Sequence, residues 1–452
     1  MRRVEVWEEN MRNIRYKSIA AVLSCVLIVA LTACGTETSQ RSGDGTDPKI
    51  KIRIAWWGGQ SRHDYTKKLL ELYTESHPHI EFETIPVEWD GYFDKLSTLA
   101  ASGAMPDLVQ MDYQYIDTYT DNGSLTDLQE YVDDGTIRVG DIEEDLLDAG
   151  KVKGRMTGVV ITSSTLCVGY NAEVLEKTGT ESPAEDWTWQ DFIESASKIS
   201  QITGKESVMT AAGITSDTNI FRYWVRQQGK ELFNEEGTAL GYEDISITAD
   251  FFRMWKDLID RNISPNPDET AQITSKGQDA NPVVTGEAAY IFEWNNYTVK
   301  MSGLNDKLEI AMPPLSENTG EKGLWMKPGM FWSVADTSKV KQECAEFINW
   351  FINSEEANDI IMAERGVPVS SKIRKYLVES GKASRQQAEM FRYTDAAINY
   401  MGKTPAPEPK GIQDVNAAFQ DAGNHVFYGD LTPEEGAEKF HEEANAILEK
   451  NN

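Results

Sequence analysis

The 452-residue chain is poor in the side chains that most catalytic and metal-binding chemistry requires. It has five histidines and four cysteines, and no His-Glu-x-x-His, because His441-Glu442-Glu443 runs on into Ala444-Asn445. A Gly-x-Ser-x-Gly elbow and a phosphate loop are also missing. His77-Pro78-His79 invites a metal reading, but a proline between two histidines at the end of a helical pattern reads as a solvated turn. Basic residues are outnumbered: 44 Lys and Arg stand against 73 Asp and Glu, a formal charge of −29, which argues against a groove for nucleic acid. Such acidity serves solubility at a crowded anionic surface and calls for neither an acidic-ligand site nor a cation store. No internal repeat is found, and no metal or cofactor is expected.

What is present begins with a leader. Arg12, Arg15 and Lys17 precede an apolar and small-residue run from Ile19 to Ala33, too short for a membrane span and of the length of a signal-peptide core. Met11 is a better start than Met1, since Glu5, Glu8 and Glu9 are out of place in a basic signal end. Leu31-Thr32-Ala33-Cys34 resembles the lipobox of bacterial lipoproteins, which implies cleavage after residue 33 and lipid on Cys34. The competing reading is a plain secretory signal that happens to precede a cysteine. Two acyl chains at ~0.8 kcal/mol per buried methylene hold a protein stably where one does not. Residues 34–49 carry no aromatic or aliphatic side chain after the cysteine and form a tether with a reach of roughly 20 Å. With Cys25 discarded and Cys34 lipidated, Cys167 and Cys344 remain, either as a disulfide or as two buried thiols.

The remaining body, about 400 residues, exceeds one ordinary hydrophobic core, so two lobes are expected. Ile50, Ile52 and Ile54 alternate with basic residues as in a half-buried strand that ends at Trp56. Tyr65, Leu69, Leu72 and Tyr73 then recur at helical spacing up to Pro78. Ile80–Glu83 reads as a strand, Tyr92 to Ala100 as a helix, and Leu108–Met111 as a strand. Strand alternating with helix implies a parallel sheet covered by helices. Toward the other end, Cys344, Phe347, Ile348, Phe351 and Ile352 mark a buried helix face, and Ser354 caps the next helix. Thr432-Pro433-Glu434-Glu435 opens a last helix with a capping box. The segments 316–323 and 404–411 read as loops.

Trp56-Trp57-Gly58-Gly59, Trp89-Asp90-Gly91-Tyr92, Pro106-Asp107, Asn122-Gly123-Ser124-Leu125, Gly169-Tyr170-Asn171, Gly286-Glu287-Ala288-Ala289-Tyr290 and Arg365-Gly366-Val367-Pro368 resemble, in this order, the family 1 extracellular solute-binding proteins. Order and spacing, rather than any single motif, carry the resemblance over nearly all of the mature chain. It implies an α/β, two-lobed periplasmic-binding-protein type II fold, with a hinge between lobes that close on a ligand. Residues 50–165 with 310–364 would form lobe one and 166–309 with 365–452 lobe two. The implied partners are a carbohydrate ligand and the permease subunits of an ABC importer. A monomer held at the outer face of the cytoplasmic membrane by its lipid alone is the implied state.

A sugar ring shows C–H groups on its faces and hydroxyls at its edge, so its site wants flat aromatic platforms with paired donors and acceptors. Eleven of the twelve tryptophans follow the leader, enough to supply such platforms at several strand ends. The candidates are Trp57, Arg62, Trp89, Asp90, Asp112, Tyr113, Gln114, Trp224, Trp294, Asn295 and Trp332. Alternation sends one of Trp56 and Trp57 into the core, and Trp57, beside the glycines, is assigned to the ligand. Asp90 and Asp112 have helix capping as their alternative role, and Arg62 an ion pair at a helix start. Trp255 and Trp350 lie on apolar helical faces and belong to the core, as does at least one of Trp187 and Trp189. A surface glycosidase needs two carboxylates across a scissile bond, and 73 acidic residues make such pairs uninformative. A receptor of the same fold for a non-sugar ligand is the other alternative.

Overall fold

The computed structural model describes residues 49–210, 213–317 and 320–451, and from Pro48 onward the chain forms one compact unit. The leader, the tether and Cys34 lie outside the described residues. In chain order the strands are β1 (Ile50–Trp57), β2 (Ile80–Val87), β3 (Leu108–Met111), a two-strand hairpin β4 (Lys151–Val152) and β5 (Arg155–Met156), β6 (Val159–Ser164), β7 (Leu166–Asn171), β8 (Val208–Thr210), β9 (Tyr290–Trp294), β10 (Leu308–Ala311), β11 (Lys327–Val334) and β12 (Val367–Pro368). They build a six-stranded sheet in the order β12-β6-β11-β3-β1-β2 and a four-stranded sheet in the order β10-β7-β9-β8.

β1 pairs in parallel with β2 and β3, and β11 runs antiparallel between β3 and β6. Ile52 and Ile54 are wholly buried while Arg53 reaches out to Glu83 and the Ala104 carbonyl, as the alternation predicts. The last four residues of β1 break that pattern. Ala55, Trp56 and Trp57 are all buried, because a central strand covered on both faces has no solvent side. The helix Lys341–Asn353 lays Cys344, Phe347, Ile348 and Phe351 against this core, where Trp332 also sits.

The first crossing from the six-stranded to the four-stranded sheet takes a single residue, Thr165, between β6 and β7. Its N–H donates to Asn295 Oδ1 (3.2 Å) and its hydroxyl to the Trp325 carbonyl (2.9 Å). The chain re-enters the first core later than position 310: Ala311, Met312, Leu324 and Trp325 pack with the second core, and Met326 with the first. It leaves again beyond Val369 and not at Arg365, since β12 pairs with β6 and Val369 packs in the first core. Apolar pattern marks a buried residue without saying which of two cores buries it.

The second core gathers Phe192, Phe221, Phe251, Phe252, Trp255, Phe419 and Phe440. Its last element, Pro433–Lys450, starts with a capping box between Thr432 and Glu435, and Ser354 caps Glu355–Ile361 through the Ala357 N–H. Cys167 and Cys344 are free and buried, each in a different core, and burial pushes both thiols up. Among the described residues no helix is long and apolar enough to cross a membrane.

The helices Ile412–Tyr428 and Pro433–Lys450 approach closely at Gly436, where a Cβ would lie 2.3 Å from Val426 Cγ2. Gly→Ala within a helix ordinarily gains about 1 kcal/mol. Overpacking against a stiff β-branched neighbour costs about 1–3 kcal/mol. Gly436→Ala is therefore expected to lower the melting temperature, which differential scanning calorimetry measures directly.

Candidate functional site

The carboxyl ends of β2, β3 and β6 and the amino end of β11 meet at one edge of the six-stranded sheet, where ligands of open α/β sheets bind. A cavity of about 570 Å³ opens there, walled on its other side by residues that precede or begin the helix Asn219–Arg226. Thr162, Ser163 and Ser164 of β6 line it, with Lys327 and Met330 of β11 nearby. Trp89, Asp112, Tyr113 and Gln114 enter from the ends of β2 and β3, and Asp217, Asn219 and Arg222 from the opposite wall.

Three hydroxyl residues in a row, Thr162, Ser163 and Ser164, run along this floor. Thr162 and Ser163 are 3% and 1% exposed, yet neither hydroxyl has a hydrogen-bond partner among the described residues. Asn296 Oδ1, from the helix that follows β9, is likewise buried and unpartnered. Thr162 is held between two glycines: a Cβ on Gly329 would lie 2.6 Å from Thr162 Oγ1, and one on Gly366 would lie 3.2 Å from Thr162 Cβ. Gly366 has φ +126°, which side chains rarely adopt, and Gly329 sits where the β11–β6 register shifts.

The aromatic wall is supplied by Trp89, Tyr113 and Trp325. Trp89 opens the helix Trp89–Ala101 and is 43% exposed, with its ring braced edge-on by Trp57 (5.2 Å) and Phe93 (5.6 Å). Tyr113 donates its hydroxyl to the Pro405 carbonyl (2.9 Å). Trp325 meets Trp294 edge-on at 5.9 Å, and Lys327 Nζ lies 4.7 Å from the centre of the Trp294 ring.

Asp112 accepts the Gln114 N–H (2.9 Å), and burial pushes its carboxyl above the usual range against that bond and the pull of Lys327. Glu293, at the end of β9, is raised from 4.5 to about 7 by burial, opposed by the Trp294 N–H and Lys327 and reinforced by Asp217. Arg222 pairs with Glu408 at 2.9 Å. Among the described residues no group of three or more His, Cys, Asp and Glu could hold a metal ion. His77 stacks on Tyr73 instead (4.0 Å).

Of the candidates read from sequence, Trp89, Asp112, Tyr113 and Gln114 line the cavity. The others stand elsewhere. Trp57 is 6% exposed and supports Trp89 from behind, so the pairing of one core and one ligand tryptophan does not hold at positions 56 and 57. Trp332 is wholly buried between Phe347 and Phe351, because strand alternation turns it to the face covered by Lys341–Asn353. Arg62 pairs with Glu364 at 3.2 Å, and exposed Asp90 lies in the first turn of its helix, where the helix dipole favours it. Trp224 gives its Nε1–H to the Ile247 carbonyl (2.9 Å) and packs on Trp189. Trp294 is half-buried and touches Trp325 edge-on without lining the cavity, and Asn295 is fully buried as a brace for Thr165 and Thr394. Its neighbour Asn296 takes the lining position.

Sequence reasoning missed Thr162 to Ser164, Trp325, Lys327 and the four residues Thr404, Pro405, Ala406 and Glu408. Four consecutive hydroxyl residues, Thr162 to Thr165, interrupt two apolar strands, and that interruption was a readable signal. Nothing local marks Trp325 or Glu408.

Two α/β layers that place a deep, hydroxyl-floored and aromatic-walled cleft at their strand ends define a two-lobed binding protein. Residues 68–386 match the family of bacterial extracellular solute-binding proteins, and the chain belongs to that family. It is similar over 89% of its length to a family 1 extracellular solute-binding protein from Alicyclobacillus acidocaldarius, which is covered completely at 29% identity and a TM-score of 0.78. A periplasmic oligogalacturonide binding protein from Yersinia enterocolitica shares the fold, with 23% identity over 89% of this chain and 100% of that one, and a TM-score of 0.75. The maltooligosaccharide ABC transporter solute-binding lipoprotein of Streptococcus pneumoniae is 20% identical over 424 residues, 91% of this chain and 92% of the relative.

The raised Glu293 carboxyl has a consequence for stability. Between 4.5 and about 7 the folded protein keeps a proton that the unfolded chain has released, so stability falls as pH rises through this window and the full cost persists above it. Glu293→Gln keeps an acceptor for the Trp294 N–H and removes the cost. The variant should be more stable than wild type at pH 8, by on the order of 1–3 kcal/mol, and should match it near pH 4. Denaturant unfolding at the two pH values checks this.

Proposed function

We propose that the cleft binds a carbohydrate, an oligosaccharide, and that the protein delivers it to the permease of an ABC importer without chemically altering it. The observation that carries this reading is the group of unpartnered buried polar atoms, Thr162 Oγ1, Ser163 Oγ and Asn296 Oδ1, on a cavity that also holds Trp89, Tyr113 and Trp325. A buried polar atom left unpaired costs about 1–3 kcal/mol. An apolar ligand would leave that cost in place. A polyol offsets it with hydroxyls that both donate and accept, while its C–H faces stack on the rings. Asp112 accepts from a ligand hydroxyl, and Lys327 and Asn219 donate. The oligogalacturonide and maltooligosaccharide specificities named for two similar proteins support the same class of ligand.

In this reading Cys34 carries the lipid, the tether holds the two lobes next to the membrane, and the monomer presents a loaded cleft to the permease subunits. A family of solute receptors supports binding over hydrolysis. Cys34→Ser is expected to abolish labelling by radioactive palmitate and to release the protein from the membrane fraction.

Trp89→Ala is expected to weaken oligosaccharide binding by ~10-fold or more, with little change in melting temperature, because the ring is already half in solvent. Calorimetric titration against neutral and acidic oligosaccharides measures the affinity. Binding should shift tryptophan fluorescence, persist in chelator and yield no shorter products on chromatography. Shorter products would favour the glycosidase, and loss of binding in chelator a metal-dependent receptor.

A further inference from the structure

The cleft does not end at the cavity described above. A second chamber of about 1020 Å³ adjoins it, and the two share Arg222, Thr404, Pro405, Ala406 and Glu408 as lining. The segment Thr404-Pro405-Ala406-Pro407-Glu408-Pro409 is thus a wall with a chamber on each side. Three prolines in six residues fix their φ angles, so the segment is stiff before anything holds it.

It is also pinned. Arg226 Nη2 donates to the Lys403 carbonyl (2.7 Å), and Thr404 donates its hydroxyl to the Met326 carbonyl (3.1 Å). Arg222, 5% exposed, holds Glu408 at 2.9 Å. Arg222 and Arg226 hold the segment from the second core, while two hydrogen bonds link it to the first: that of Thr404 to Met326, and that of Tyr113, which follows β3 of the first sheet, to the Pro405 carbonyl.

The second chamber has the makings of a saccharide site. Phe233 offers a ring on its wall, with the Arg222 guanidinium 5.3 Å from the ring centre. Asp117 faces it from the short helix Ile116–Asp121 of the first lobe, and Lys230 from the second. The chamber is therefore bounded by both lobes, as the first is.

We propose that residues 404–409 partition one long groove into two sugar-binding chambers, and that their hold on Tyr113 and Arg222 sets how many sugar units the protein accepts. The inference rests on the carbohydrate reading of the first chamber. A chain the size of roughly a trisaccharide fills that chamber and abuts Thr404 to Ala406. Further units reach the ring of Phe233 only where the wall gives way.

Calorimetric titration with three linear series, maltooligosaccharides, oligogalacturonides and xylooligosaccharides of two to six units, tests this on wild type, on Pro407→Gly and on the double variant Pro407→Gly/Glu408→Gln. In wild type the affinity should rise to about three units and then stay flat or fall. Pro407→Gly, which lines the second chamber alone, should keep its affinity for the shorter chains, and the double variant should gain ~10-fold or more for five and six units relative to its own affinity for three. Pro407→Gly alone, which leaves the Arg222 pair intact, should gain less. An unchanged length profile in both variants, or a wild-type affinity that climbs steadily to six units, overturns the partition and leaves the carbohydrate reading standing. Failure of wild type to bind any of the three series overturns both.

Discussion

The structure turns on a polar seam where an apolar one would be easier to build. Thr162, Ser163, Ser164 and Thr165 lie between Val159-Val160-Ile161 and Leu166-Cys167-Val168, so the chain passes from one core to the other through four hydroxyl groups. Thr165 is satisfied by Asn295 and the Trp325 carbonyl. Thr162 and Ser163 have no hydrogen-bond partner for their hydroxyls among the described residues, although both are buried. The residues that connect the sheets are therefore the residues that floor the cleft.

The aromatic side of the site is organised in layers. Trp89 presents a half-exposed face, and behind it Trp57, Tyr92 and Phe93 form a packed cluster with ring centres 5.0 to 5.7 Å apart. Trp325, only 3% exposed, meets Trp294 edge-on at 5.9 Å. An exposed indole moves among rotamers, and ordering it on binding costs entropy; a ring braced from behind has lost that freedom already. In the carbohydrate reading proposed above, Trp57 acts by holding Trp89 still, and its removal would weaken the core as well as the platform.

Much of the fold was legible in the sequence because it rests on period and capping. The isoleucine alternation of β1, the spacing of Leu69 and Tyr73, and the capping box of Thr432 and Glu435 each report on a few neighbouring residues. The site was legible only in part. Trp89 and Asp112 to Gln114 follow directly from the ends of strands. The assignment of Trp57 to the ligand failed because alternation separates two faces only when one of them meets solvent, and β1 is covered on both. Trp332 failed for a related reason: it lies inside β11, away from the amino end that meets the cleft, and its side chain faces Phe347 and Phe351. The wall at Thr404 to Glu408 read as a loop because its meaning comes from Tyr113 and Arg222, 292 and 186 residues away in the chain.

The central claim is that the unpaired hydroxyls of β6 exist for the ligand rather than for the fold. Thr162→Val, which keeps the shape and deletes the oxygen, separates the two by comparing unfolding free energy with calorimetric affinity for the bound oligosaccharide. The unliganded variant should be as stable as wild type or more stable, by up to about 1–3 kcal/mol, while affinity falls ~10-fold or more. A variant that loses stability and binds as tightly as wild type would contradict the account.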